Sequence, residues 1–331
     1  MKFQIEKSLL KQNQPRVSLN GFFIYMRLST IIRPMKYTLI LFFLVAFIIT
    51  SCGPSSSAEA ASNSQATYIE NKGSDTIVNL ALAWAERYQG KHLDVRISVT
   101  GGGSGTGIAS LINGTVDIAN ASRQIKGEEV DEAKSNGIEP VEHIISRDAI
   151  AVIVNPENPV NELTLQQISD IYSGKITNWS EVGGEDRPIV RLSRETNSGT
   201  HVYFLETVLR LSSKEDKTLF SMDTLLLPSS EGIIAEVRQN PNAIGYDGLG
   251  YVPDDLKMIA IAKEAGGAYV LPSIETVNDK TYAIARDLYM YTNGEPTGVV
   301  KEYLEWILSP EAQQIVEDLG FVPALTPSPS P

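Results

Sequence analysis

The sequence is poor in the residue types that build disulfides and metal sites. Its 331 residues include one cysteine, Cys52, and three histidines, His92, His143 and His201. A single cysteine excludes an internal disulfide, and the scattered histidines lack the spacing typical of metal ligands. We therefore expect neither a metal nor another cofactor.

Positive charge is also scarce, with 28 Lys and Arg against 40 Asp and Glu and a net charge of -12. Residues 1–51 are basic, with a net charge of +6. The rest of the chain therefore has a net charge of about -18, which is six units more negative than that of the whole chain. Such an acidic body is not expected to bind nucleic acid. If it binds a small anion, it must do so with local dipoles and a buried arginine, because its overall field repels the ligand.

Long apolar runs are absent as well, because residues 38–49 form a stretch of only 12. That is too short to span a membrane and is typical of the apolar part of a signal peptide. Thr50-Ser51-Cys52 follows at once and resembles a bacterial lipobox, in which the cysteine is lipidated; an ordinary cleaved signal is the alternative. The pattern predicts an upstream extension with a lipoprotein signal peptide (1–51), lipidation of Cys52 by palmitate, and a Ser/Ala-rich tether (52–66). It also predicts an envelope protein anchored to the extracytoplasmic side of the membrane, in the periplasm or at the cell surface.

From Thr67 onward, strand-like and helix-like patterns alternate. Residues 76–90 have apolar side chains at helical spacing, whereas residues 148–154 form an almost wholly apolar strand of the kind that is buried on both faces. This order predicts an α/β fold with mostly parallel sheets flanked by helices. In such sheets, ligands lie beyond the carboxyl ends of the strands. The tail 326–331 is expected to be disordered.

Polar loops follow four of the predicted strands. Three of these loops lead directly into a predicted helix. The four loops contain Gly73-Ser74-Asp75-Thr76, the glycine-rich run 101–107, Ser122-Arg123, and Asn197-Ser198-Gly199-Thr200, with Arg194 just before the last. Unpaired N–H groups and partial positive charge make a helix start a potential anion site. Hydroxyls add neutral donors, and an arginine adds a planar fork that suits phosphate. Together the four segments predict one oxyanion bound between converging strand ends.

Two enzyme-like interpretations of these loops fit less well. The glycine-rich run lacks the Lys of a phosphate-binding P-loop and the third glycine of a dinucleotide-binding loop. A secreted phosphatase or serine hydrolase would use Ser104 or Ser198 as nucleophile, but a nucleophile needs a base, and only His201 is near in sequence. Gly102–Thr106 also lacks the last glycine of a nucleophile elbow. We therefore expect a binding protein rather than an enzyme.

The body resembles the phosphate-binding proteins of bacterial ABC importers over nearly all of residues 67–325. The similar segments occur in the family's order: KGSDT (72–76), TGGGSGTGI (100–108), DIANASR (117–123), LTLQQISDIYSGKITNW (163–179), SRETNSGT (193–200), AIGYDGLGYV (243–252) and LSPEAQQIVEDLGFVP (308–323). The resemblance implies a type II periplasmic-binding-protein fold with two lobes and phosphate in the cleft between them. Lobe 1 would comprise 67–150 and 255–325, and lobe 2 would comprise 151–254. The implied partners are inorganic phosphate and the membrane permease of an ABC transporter, for a protein that is itself monomeric.

The same motifs imply a ligand set, which is Ser74, Asp75, Ser104, Ser122, Arg123, Arg194, Ser198, Gly199 and Thr200. One branch of the family has aspartates where Ser122 and Thr196 stand here, and those carboxylates accept the proton of hydrogen phosphate. Asp75 is the best remaining acceptor in this sequence, with Asp117 and Asp247 behind it. Another tetrahedral oxyanion, such as sulfate, arsenate or molybdate, remains an alternative ligand.

Overall fold

The computed structural model describes residues 66–324. The predicted signal peptide, Cys52, nearly all of the tether and the tail 326–331 lie outside the described residues. Within residues 66–324, no helix combines the length and the apolar character that a membrane crossing requires.

Strands and helices alternate along the described chain, as the sequence pattern predicts. The strands are β1 (Thr67–Gly73), β2 (Val95–Thr100), β3 (Ile118–Ala121), β4 (Pro140–Val154), β5 (Glu162–Thr164), β6 (Val190–Arg194), β7 (Leu225–Leu227), β8 (Ala243–Gly248), β9 (Lys257–Met258), β10 (Ala260–Ala262), β11 (Ala285–Asn293) and β12 (Val322–Pro323). The α-helices are α1 (Asp75–Lys91), α2 (Ser104–Ile112), α3 (Gly127–Ser135), α4 (Leu165–Tyr172), α5 (Gly199–Phe204), α6 (Ser230–Gln239), α7 (Ile274–Asn278), α8 (Gly298–Ile307) and α9 (Pro310–Asp318).

The main sheet is mixed, with the strand order β2-β1-β3-β11-β4-β8-β6-β7. The parallel pairing that the sequence predicts occurs at both ends, where β1 pairs with β2 and β3, and β6 pairs with β7 and β8. The two long central strands β4 and β11 are antiparallel to each other, and β11 is also antiparallel to β3. Their pairing places Arg286 of β11 directly opposite Asp148 of β4.

The helix α1 covers one part of the sheet with its apolar face. In α1, Ile77, Leu80, Ala81 and Trp84 recur at helical spacing and are fully buried. They pack in one core with residues of β1, β2, α8 and α9. This packing fixes α1 relative to β1 and thereby fixes the loop between them.

A second core surrounds the apolar part of β4. It contains Trp179, Phe204 and Tyr246, together with Ile259 and Ile261. Ile261 lies here because β10 pairs in parallel with β5, and Ile259 lies here because its N–H donates to the Val152 carbonyl of β4. Residues near 259–284, which the sequence assigns to lobe 1, therefore pack against residues that it assigns to lobe 2. The division into two lobes remains a prediction.

Strand direction brings the predicted loops together. The carboxyl ends of β1, β2, β3 and β6 lead into the segments that contain Ser74, Ser104, Ser122 and Ser198, respectively. Hydrogen bonds between these segments, described below, show that they meet at one place in the fold.

Candidate functional site

The site is centred on a cluster of buried serine hydroxyls. Ser122 lies at its middle: its Oγ is 2.9 Å from Ser74 Oγ and 3.2 Å from Ser104 Oγ, and its N–H donates to Ser104 Oγ at 3.0 Å. All three side chains are at most 1% exposed. The three hydroxyls come from the ends of β1, β2 and β3, so the structure brings together residues that are up to 48 positions apart.

The loop after β6 closes over this cluster. Ser198 caps α5 by accepting a hydrogen bond from the Thr200 N–H, as expected for a serine at this position. A Cβ on Gly199 would lie 2.3 Å from Ser104 Oγ and 2.6 Å from Ser122 Oγ, so any larger residue would force the loop or these hydroxyls to move. Asn197 ties the same loop to the glycine-rich run, donating to the Gly102 carbonyl and accepting from the Gly105 N–H, both at 3.0 Å.

Arg194, at the end of β6, is the cation of the site and is 1% exposed. Its Nη2 donates to Asp75 Oδ2 at 2.8 Å and to the Pro228 carbonyl, and its Nη1 donates to Ser230 Oγ at 2.9 Å. Its Nε is buried without a hydrogen-bond partner. Because buried donors are normally paired, this N–H is available for an anionic ligand.

The three carboxylates proposed as proton acceptors have different surroundings. Asp75 has a donor on each oxygen, the Gly102 N–H at 2.8 Å and Arg194. Asp117 is exposed at the amino end of β3, where it accepts from the Glu70 N–H, so the structure places it away from the site. Asp247, on β8, is fully buried, and its Oδ2 is 3.7 Å from Arg194 Nη1 and has no hydrogen-bond partner.

Asp247 is held in place by its other oxygen. Its Oδ1 accepts from Ser230 Oγ at 2.9 Å and from the Gly248 N–H at 2.8 Å. Burial raises the pKa of Asp247, while the neighbouring Arg194 opposes the rise by favouring the ionised form. Asp247 thus combines a fixed position with one buried oxygen that lacks a donor.

Arg123 does not join the serine cluster. Its guanidinium forms an ion pair with Glu129, with an Nη2–Oε1 distance of 2.6 Å, and also donates to the Gln124 carbonyl. It lines a neighbouring cavity of about 450 Å³ together with Lys126 and Tyr203. Glu129 lies in the first turn of α3, where it also accepts from the Lys126 N–H, so a helix-capping carboxylate holds Arg123.

Four further residues of the site, Thr76, Asp148, Ser230 and Arg286, were not among the predicted ligands. Thr76 Oγ1 and Thr200 Oγ1 are 2.9 Å apart and buried, and Ser230 bridges Arg194 and Asp247. Arg286 and Asp148 form a buried ion pair at 2.9 Å beside the two threonines. A charged residue in an otherwise apolar strand is the signal that could have found this pair in the sequence.

The hydrogen bonds of His201 do not support its role as a base for Ser104 or Ser198. Its Nδ1 is 3.0 Å from Ser193 Oγ, and its ring stacks on Phe220 at a centroid distance of 4.6 Å. Burial lowers the pKa of His201. Ser104 Oγ instead accepts a hydrogen bond from the Ser122 N–H, and Ser198 Oγ accepts one from the Thr200 N–H at the start of α5. Within residues 66–324, no group of three or more His, Cys, Asp or Glu is arranged to hold a metal ion.

Comparison with known proteins identifies relatives along most of the chain. Residues 58–311 match the model of the PBP superfamily domain. The phosphate-binding protein PstS of Bacillus subtilis is 32% identical over 300 residues, which cover 87% of this chain and 94% of the relative. PstS of Pseudomonas aeruginosa is 31% identical over 272 residues, which cover 77% of this chain and 82% of the relative.

Solved structures give the same result. A phosphate ABC transporter substrate-binding protein from Clostridium perfringens, solved with bound phosphate, superposes with a TM-score of 0.69 at 34% identity. The match covers 78% of this chain and all of that one. An ABC-type phosphate transport receptor from Vibrio cholerae superposes with a TM-score of 0.62 at 28% identity, over 77% and 99% of the two chains.

Proposed function

The chain belongs to the PstS-like phosphate-binding proteins of the PBP superfamily, and from this premise we propose that it captures inorganic phosphate among the converging strand ends and delivers it to an ABC importer. Members of this family are binding proteins of transport systems, so the chain is not an enzyme. The observation that carries the proposal is the buried Arg194, whose Nε–H has no partner beside a cluster of buried hydroxyls.

The donors of this site are sufficient for tight binding. The ligands we propose are Ser74, Asp75 through its backbone, Ser104, Ser122, Arg194, Ser198, Gly199 and Thr200. A micromolar dissociation constant needs about 8 kcal/mol. Charge-assisted hydrogen bonds contribute roughly 1.5–3 kcal/mol each, so several of them exceed this requirement after the cost of ordering the ligand. Arg123 is not part of the proposed set, because its guanidinium donates to Glu129 and to the Gln124 carbonyl and makes no hydrogen bond to the segments of the serine cluster.

Isothermal titration with phosphate and then with sulfate at pH 7 tests this function. The protein should first be unfolded and refolded so that no ligand from expression remains. We expect micromolar or tighter phosphate binding and no response to sulfate. Tight sulfate binding, or no response to either anion, would contradict the proposal and favour the alternative of another oxyanion.

Phosphate differs from sulfate at this pH in carrying a proton, so a carboxylate that accepts this proton can select it. We infer that Asp247, rather than Asp75, is that acceptor, because Asp247 Oδ2 is buried and lacks a donor whereas both oxygens of Asp75 have one. Leaving such an oxygen unpaired costs about 1–3 kcal/mol, which hydrogen phosphate would offset and sulfate would not.

Replacing Asp247 with asparagine should therefore lower the ratio of phosphate to sulfate affinity by about tenfold or more. Asparagine keeps the shape of the side chain but presents a donor instead of an acceptor. Titration of both anions against D247N and the matched variant D75N measures the ratio. A reduced ratio in D75N with an unchanged ratio in D247N would assign the acceptor role to Asp75.

The setting of the protein in the cell envelope is also part of the proposal. We propose that Cys52 is lipidated and that residues 52–66 tether the body to the extracytoplasmic face of the membrane, where a permease receives phosphate. The apolar run 38–49 and the small residues before Cys52 support this view. Lobe closure around phosphate, read by the permease, would couple binding to transport, with the binding protein acting as a monomer.

A further inference from the structure

Arg286 is a second buried arginine next to the hydroxyl cluster. It lies on β11 and is 6% exposed. Its Nη2 donates to Thr200 Oγ1 at 3.0 Å and to Thr76 Oγ1 at 3.4 Å, and its Nη1 donates to the Ser122 carbonyl at 2.9 Å. One guanidinium thus contacts three of the segments that form the site, at the ends of β1, β3 and β6.

Asp148 on β4 is the counter-ion of Arg286. Its Oδ2 accepts from Nη2 at 2.9 Å and from Nε at 3.3 Å, and its Oδ1 accepts from the Leu249 N–H at 3.2 Å. The pair is fixed by strand register, since the two residues lie opposite each other in the sheet. The Tyr203 ring lies 5.6 Å from the guanidinium and covers it on another side.

The hydrogen bonds from Arg286 determine where the threonine protons can point. A hydroxyl has one proton and two acceptor lone pairs, whereas a guanidinium only donates. Nη2 has two protons and donates one of them to Asp148, so its other proton is shared between Thr200 Oγ1 and, more weakly, Thr76 Oγ1. The protons of the two threonine hydroxyls must therefore point away from Arg286. One proton is used in the bond between the two hydroxyls, which leaves the other for a ligand oxygen.

We propose that Arg286 is a positioning residue of the phosphate site, which directs a threonine proton toward the bound anion, and that Asp148 regulates the positive charge available to that anion. This inference rests on the proposed function. It assigns to the site a second cation that does not need to touch the ligand.

The charges around Asp148 give the proposal a dependence on pH. The titratable groups that face Asp148 are Arg286 from β11, Asp247 from β8, Tyr203 from α5, and Tyr282 from the segment before β11. Burial raises the pKa of Asp148 to about 6, against the opposing effect of Arg286. Above this pH the carboxylate is ionised and offsets Arg286, whereas below it Asp148 is protonated and the charge of Arg286 attracts an anion more strongly.

The test uses the full body of the protein and phosphate titrations from pH 5 to 8 with wild type, R286K and D148N. Lysine keeps the charge but loses the fork, so R286K should bind phosphate roughly tenfold or more weakly. Asparagine imitates protonated Asp148, so D148N should bind roughly tenfold more tightly than wild type at pH 8 and equally at pH 5. At each pH the affinity of D148N is divided by that of the wild type. This ratio removes the effect of the protonation of phosphate itself, which is the same for both proteins.

Arg191 provides the matched control, since it is a buried arginine of β6 that pairs with Asp223 and does not contact the hydroxyls. R191K should lose thermal stability but keep its phosphate affinity within about twofold. Unchanged affinity in folded R286K, or a D148N ratio that is constant with pH, would overturn the inference. If R286K does not fold, the D148N profile decides. Failure of the wild type to bind phosphate would instead refute the proposed function.

Discussion

Replacement of Arg194 with alanine is expected to reduce phosphate affinity by about a thousandfold. Arg194 is a buried cation of the proposed site, and its Nε–H is a buried donor without a hydrogen-bond partner. Removing one partner of a buried charged pair costs about 2–5 kcal/mol, and each 1.4 kcal/mol is a factor of ten. The loss also leaves Asp75 and Asp247 without their cation, so two carboxylates would then repel the anion.

Isothermal titration of R194A with phosphate at pH 7 measures this effect. Arg238 is a suitable control because it is a half-exposed arginine that pairs with Asp255 on the surface. R238A should bind phosphate as wild type does, because exposed ion pairs contribute at most about 1 kcal/mol and are screened by salt. Equal affinities of R194A and wild type would remove Arg194 from the site, even if phosphate still binds elsewhere.

The second large effect is expected for Gly199→Ala, which should weaken phosphate binding by about a hundredfold and also lower thermal stability. The added methyl would lie 2.3 Å from Ser104 Oγ and 2.6 Å from Ser122 Oγ, so the α5 loop or the serine hydroxyls must move. Overpacking of this kind lowers the free energy of unfolding by roughly 1–3 kcal/mol. Either movement separates donors that must contact the same oxyanion.

Gly232→Ala is the matched control for this prediction. Gly232 also lies in the first turn of a helix, α6, but a Cβ there would have its nearest neighbour at 3.6 Å, which is an ordinary contact. G232A should therefore keep the wild-type phosphate affinity. Titration and thermal melts of both variants separate a binding defect from a folding defect. A G199A protein with wild-type affinity would show that the close approach of α5 to the serines is not needed.

Local sequence was enough to find the segments that carry the site. Ser74, Gly103 and Ser198 stand immediately before α1, α2 and α5, and Ser122 follows β3, as predicted. Glycines and hydroxyl residues mark helix starts because they meet the backbone requirements of the chain within a few positions. The same reasoning could not rank the carboxylates, since the donors around Asp75, Asp117 and Asp247 come from distant segments.

Arg123 and Arg286 illustrate the limit of local reasoning. Arg123 follows Ser122 in a segment that resembles the family motif, yet a carboxylate six residues further on binds it. Arg286 is 164 residues from Ser122 and reaches the site only because β11 lies between β3 and β4. No periodicity or motif in the sequence specifies that neighbour relation.

The sequence by itself determined the alternation of strands and helices, the loops at the strand ends, and the membership in a family of phosphate-binding proteins. These properties follow from interactions within a few residues and from the order of motifs. Tertiary structure alone decided which donors remain free, which carboxylate lacks a partner, and that Asp148 lies opposite Arg286. Those features depend on sheet register and on burial, which are set by packing between segments far apart in the chain.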